Sequence, residues 1–276
     1  MHIYNACALG VAGRFVRPVQ HLISSQAATT LAITGGHGSS EVHDFHVPGI
    51  LSFKRAYSEV SGSFDSNHGV HTTLAVSVVE GLNILDVITA DKVVGRLSAH
   101  HPVDGAKGST EPSIVPTGSY FENLRIAGHP VHVKLANHVF CEHDTFSKFE
   151  KNVKASRDRH PWLVSGKLDK AKDIHPSLDN MRQGLEKLPE THGIYWASAA
   201  NHLTLTSTDQ EPCDLKNFGS VVVVPKFGVV HIAELLIMKH SRQLNMLRVH
   251  MGSPVEGDVT VASDHTNGTT YPPTGS

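Results

Sequence analysis

The sequence predicts a mainly β protein, an antiparallel sandwich or flattened barrel built from repeated strand-turn-strand units, with a helical insertion. Three observations carry this. A six-residue figure recurs: apolar, any, small or polar, Leu or Phe, any, Val or Ile. Its copies are Val42–Val47, Val79–Ile84, Phe121–Ile126 and Val224–Val229, and the first three begin about 40 residues apart. Long runs also alternate with period two, such as Thr72, Leu74, Val76 and Val78, the signature of a half-buried strand. Finally, composition turns charged and β-poor between about residues 144 and 193, where 147–155 and 177–188 have helical spacing.

Taken in order, residues 3–16 alternate loosely and read as an edge strand stopped by Arg17-Pro18. Residues 35–40, rich in glycine and serine, read as a loop before the first figure. Pro48-Gly49 marks a turn, 59–64 a strand, and 65–69 a hairpin connection of residues that tolerate positive φ. Val70 to Leu85 and residues 86–97 continue the β pattern, and 100–116 reads as a surface loop. In Val131–Leu135, Val131, Val133 and Leu135 face one way, and His132 and Lys134 the other. Within the insertion, Ser177 is the expected N-cap of a helix carrying the stripe Leu178, Met181, Leu185 and Leu188, with Pro189 as its stop. Val221–Val224 is apolar throughout, as a strand buried on both faces must be. The expected partition is one β-rich domain over 1–263, the insertion at about 144–193, and a disordered tail over 264–276.

Composition limits function. Lys and Arg number 24 against 26 Asp and Glu, for a net charge of −2, and no basic stripe is present. That excludes the electrostatic footprint of a nucleic-acid binder. Cys7, Cys141 and Cys213 are odd in number and widely spaced, so neither a disulfide framework nor a zinc pair is expected. No apolar window is long enough for a membrane-spanning helix. No charged segment leads into a long apolar run at the start, so the expected location is cytoplasmic, although a processed secreted chain would look the same.

The run Gly81–Leu85, with Val87–Asp91 and Val93-Val94, resembles the repeating strand unit of bacterial choice-of-anchor domains. The phrases Val79–Asp91, Phe121–Val131, Val224–Leu236 and Leu244–Val259 are similar to uncharacterised bacterial β-rich proteins. The resemblance covers about half the chain and contains no catalytic motif. It implies an all-β fold without an assigned activity.

Histidine is the compositional outlier, at 21 residues. The pairs His43/His46, His68/His71, His100/His101 and His129/His132 raise metal ligation, and His68 with His71 is the metal candidate, for a divalent transition metal. On a plain strand, residues three apart point to opposite faces, which opposes chelation. Ser39 and Ser40 beside His37 invite a nucleophile, but no G-x-S-x-G elbow accompanies them. Gly10–Gly13 and Gly35–Gly38 lack phosphate-loop spacing. Glu80 and Glu122 hold the same place in two figures and could line one sheet, as paired glycosidase carboxylates or as solvated edge charges. Tyr57, Tyr120, Trp162, Tyr195 and Trp196 offer no aromatic row for a glycan. The expected function is a non-enzymatic structural or binding protein, a homo-oligomer that self-assembles through β edges and needs no cofactor, its small-molecule or glycan ligand unidentified. The alternative is a hydrolase, metal-assisted, with a histidine-lined site under the helical insertion.

Overall fold

Strand accounts for 65% of the chain and helix for 14%, and the strands form two antiparallel sheets rather than a closed barrel. The structure, a computed structural model, describes residues 2–18, 20–103, 111–155, 162–168, 176–206, 214–252 and 254–270. In chain order the first strands are β1 (His2–Arg17), β2 (His21–Thr30), β3 (Gly36–Val47), β4 (Leu51–Asp65), β5 (Val70–Ile84) and β6 (Ile88–Pro102). Short strands β7 (Ser113–Val115), β8 (Tyr120–Glu122), β9 (Arg125–Ile126) and β10 (His129–Leu135) follow. The insertion holds α1 (Asn137–Glu142), α2 (Phe146–Ala155), α3 (Val164–Lys167) and α4 (Pro176–His192). The chain returns through β11 (Tyr195–Ser198), β12 (Ala200–Leu205), β13 (Lys216–Phe218) and β14 (Val221–Val224). It closes with β15 (Gly228–Met238), β16 (Ser241–Met251) and β17 (Glu256–Thr270).

One sheet runs β13-β14-β15-β16-β17-β1-β2, with β11 also on β15; the other runs β12-β10-β9-β6-β5-β4-β3, with β7 and β8 on β6. The main core lies between them and includes Val11, Phe15, Leu82, Ile88, Ile232 and Leu247. A smaller cluster joins Val164 of α3, the adjoining Leu168 and Leu185 of α4 to Phe218, Val221, Trp196 and Val229, so these helices cover part of the first sheet's outer face. Buried Arg242 pins the insertion to β16. Its guanidinium donates to the carbonyls of Ile114, His143 (2.8 Å) and Asp144 (2.9 Å).

A line of left-handed residues crosses each sheet. In the second sheet Asp44, Gly81 and Asn123 have φ of 49°, 65° and 49°. Asp44 and Gly81 stand on alternate strands and Asn123 in the link between β8 and β9, all three level, with Lys54 and Asp91 between them, and the ladder is interrupted at that level. In the first sheet Ala27, Ala262 and Ala233 have φ of 49°, 50° and 50°. They too stand level on alternate strands, with Gly10 and Met246 between them. Each such residue shifts the inward-outward alternation by one. On β17 the inward set is Val259 and Val261 before the line, and Ala262, Asp264 and Thr266 after it.

This explains the recurrent figure. Its third residue is left-handed in every copy: Asp44, Gly81, Asn123 and Lys226. On an uninterrupted strand the first and fourth residues would face opposite ways. The shift lets Val79, Leu82 and Ile84 all bury, at 0%, 2% and 0% exposure. Each buried aliphatic contributes about 1.5–3 kcal/mol, and a left-handed non-glycine costs about 1–3 kcal/mol, so three aligned side chains outweigh one strained residue. The figures are not copies of one hairpin, however. Val42–Val47 and Val79–Ile84 lie within single strands, whereas Phe121–Ile126 and Val224–Val229 straddle turns.

Other expectations change with the tertiary context. β1 is not an edge, because it pairs with both β17 and β2. Residues 264–270, expected in a disordered tail, extend β17 along β1, which satisfies their backbone groups; residues 271–276 lie outside the described residues. Residues 36–40 belong to β3, held by the β4 ladder, rather than to a loop. Pro189 does not stop α4, which continues to His192. The side chains of Ser177 and Leu178 lie outside the described residues, as does Cys213. On β5 the inward face carries Thr73, Ala75 and Ser77, and the larger Leu74 and Val76 face outward.

Candidate functional site

Because Ala233 is left-handed, His231 and Glu234, three apart on β15, share the outer face of the first sheet. Both are 1% exposed. Val221, paired with His231, and Trp196, bonded to Glu234, belong to the cluster under α3 and α4, so the helical layer closes over this face. Arg248 on β16 donates to Glu234 twice, Nε to Oε2 at 2.7 Å and Nη2 to Oε1 at 2.6 Å. Trp196 Nε1 donates to Oε1 at 3.0 Å, and the guanidinium lies 5.0 Å from the Trp196 ring. His231 Nδ1 is 3.2 Å from Glu234 Oε1, but neither ring nitrogen has an aligned hydrogen-bond partner. Burial, then Arg248, holds the His231 imidazole well below its usual range.

Arg248 Nη1 also donates to His250 Nε2, which fixes the proton of that ring on Nδ1, facing Asp258. Burial is the largest cause that lowers the His250 pKa, and Asp258 opposes it. A continuous chain results: Glu234, Arg248, His250, Asp258. At its open end lies a cleft of about 400 Å3 lined by Val223, Val229, Phe227, Met251, Lys226 and His250. That volume is of the order that takes a small molecule. Both oxygens of Glu234 and both nitrogens of His250 are engaged within the chain, so these groups hold a ligand wall in place rather than stand ready to move a proton.

The metal candidates go separate ways. His68 is exposed in the β4–β5 turn, its Nδ1 2.7 Å from Asp65 Oδ2. His71 is on β5, with Nδ1 bonded to the Tyr4 hydroxyl at 2.7 Å and its ring stacked on His2. Among the described residues no three His, Cys, Asp or Glu side chains are grouped to hold a metal ion. Glu80 and Glu122 do share a row on the second sheet, but Lys92 stands between them and pairs with Glu80 at 3.0 Å. The next row on the same face, two rungs on, is Tyr57, Val78, Val94 and Tyr120, a two-tyrosine row that adjacency along the chain does not reveal. Ser39 and His37 lie along β3 beside Glu59 and Ser61. The Glu234–Arg248 pair at the head of this chain is not legible in sequence order, because its two members are 14 residues apart and meet only across strands.

A family model for a domain of unknown function, DUF8256, matches residues 2–238. The chain belongs to this family. No curated protein and no solved structure matches it. Neither finding links the chain to the choice-of-anchor domains. No helix among the described residues is long and apolar enough to cross a membrane.

Proposed function

We propose that this DUF8256 protein is a non-enzymatic binding protein that takes a small, largely apolar ligand in the cleft beside His250. The observation that carries the reading is the closed Glu234–Arg248–His250–Asp258 chain at the cleft wall. Its donors and acceptors are matched to one another, as in a scaffold, and the lining beyond it is aliphatic and aromatic. Lys226 at the rim favours a ligand with one anionic end. Titration calorimetry with octanoate is expected to give saturable binding near one per chain, weakened at least tenfold in Val229→Asp. Ester hydrolysis that disappears in His231→Ala or Glu234→Ala would overturn the reading in favour of the hydrolase. The buried, unaligned imidazole of His231 is what favours that second reading.

Self-association through sheet edges is not part of this reading. The long edge strand β3 carries Glu41, His43, left-handed Asp44 and His46, chemistry that discourages pairing with another chain. Light scattering is expected to return a single small species, and fibres or large oligomers would restore self-assembly as the function.

A further inference from the structure

Imidazoles join the two sheets at one end of the sandwich. His2 stands on β1 of the first sheet, and His71 and His101 stand opposite each other on β5 and β6 of the second. The His2 ring stacks on His71 with centroids 4.1 Å apart and planes 7° apart, and lies 5.0 Å from His101. Tyr4 bonds His71, and Phe64 packs on it at 4.6 Å. His2 and His101 are 7% and 6% exposed. Both nitrogens of His2 and Nε2 of His101 are buried without a hydrogen-bond partner. Unpaired buried polar atoms of this kind are costly and call for an explanation.

A shared metal does not supply one. Stacked rings hold their lone pairs in parallel planes, so His2 and His71 do not converge on one ion. A proton does. Among the described residues, the charged group acting on His2 is His71. Those acting on His101 are His2, His71, His240 and His100. All are cationic when protonated, and Asp65 at the end of β4 is taken by His68.

We propose that this histidine-lined end is an acid-operated latch: proton uptake separates β1 from β5 and β6 and uncovers the small core of Tyr4, Ala6, Ala8, Leu31, Val60 and Ala75. Burial, the largest cause, holds His2 at about 4 and His101 at about 3, and lowers His71 too. Once exposed, these rings regain the ordinary value of 6.5. The open form then binds more protons, so closure is fully favoured above pH 6.5 and is lost as pH falls towards about 4 and about 3. Each histidine that takes up a proton only on opening costs the closed form roughly a factor of ten per pH unit.

Hydrogen exchange on the whole chain between pH 7 and pH 4, corrected for the intrinsic rate, tests this. Protection at the start of β1, the start of β5 and the end of β6 is expected to fall at least tenfold per pH unit below about pH 6, while β15 and β16 hold. His101→Gln should move the midpoint down by about one pH unit, and His37→Gln, at an exposed position, should not. Protection that stays constant to pH 4, that falls together with β15 and β16, or that keeps its midpoint in His101→Gln overturns the latch. If His101→Gln does not fold, ring-proton titration of the unmodified chain decides. Rings still neutral at pH 5 while this end is protected sustain the proposal; rings that titrate near 6.5 with protection intact reject it.

Discussion

Glu234 and Arg248 lie under the helical layer as a matched pair of charges, whereas His2 and His101 lie between the sheets as neutral rings with unfilled nitrogens. Both clusters are buried, and both gather residues distant in sequence. They differ in what a change of charge does. The first is vulnerable to losing a partner, because the survivor is left as an isolated charge in a poor solvent. The second is vulnerable to gaining a proton, because among the described residues the charged groups acting on it are further histidines. Burial alone therefore says little about a polar group; its companions decide whether it acts as a brace or as a trigger.

Breaking the matched pair gives the largest expected effect. Glu234→Ala leaves Arg248 unpaired beneath α3 and α4, at about 3–5 kcal/mol of unfolding free energy, measured by urea denaturation. If the cost is under 1 kcal/mol, water already reaches the pair and the brace is not closed.

A third buried group sharpens the contrast. Burial raises the Asp264 carboxyl from 3.8 to about 8, with Ser77 donating to it at 2.9 Å. The folded chain thus keeps a proton that the unfolded chain releases. Its contribution is full below pH 3.8 and is lost as pH rises to about 8, opposite in sign to the histidines. At pH 8, Asp264→Asn is expected to be more stable than the parent by on the order of 2 kcal/mol, with the gain shrinking towards pH 4 in thermal melts. A gain that does not change with pH would assign the effect to packing.

The left-handed lines are tested at Gly81. A Cβ there meets Lys54 Cγ at 2.8 Å, and φ is +65°. Gly81→Ala is expected to cost about 1–2 kcal/mol, and Gly184→Ala, with open space around it in α4, to be neutral or slightly stabilising. Equal responses would mean that the line carries no strain. The smallest effect belongs to Lys92→Ala. It opens a pair with Glu80 on a partly exposed sheet face and is expected to cost at most about 1 kcal/mol, read from the same denaturation curves.

The sequence by itself determined the β class and the helical excursion between β10 and β11, but not which face reaches the core on β5, where Thr73, Ala75 and Ser77 point inward and Leu74 and Val76 outward. Period-two and period-3.6 patterns are local, and burial acts on each element in the same way wherever it lands. It also held the left-handed third residue of each figure in plain view, as a small or polar residue that broke the alternation. What that break meant was decided only by the fold, because its consequence is a line shared across strands from distant parts of the chain. The same holds for the clusters. His68 and His71 looked like partners because they are neighbours in sequence, yet His71 joins His2 and His101 from other strands, and Glu234 meets Arg248 and Trp196 across rungs of one sheet. In a sheet, register brings side chains together, and register is set by the whole ladder rather than by any one strand.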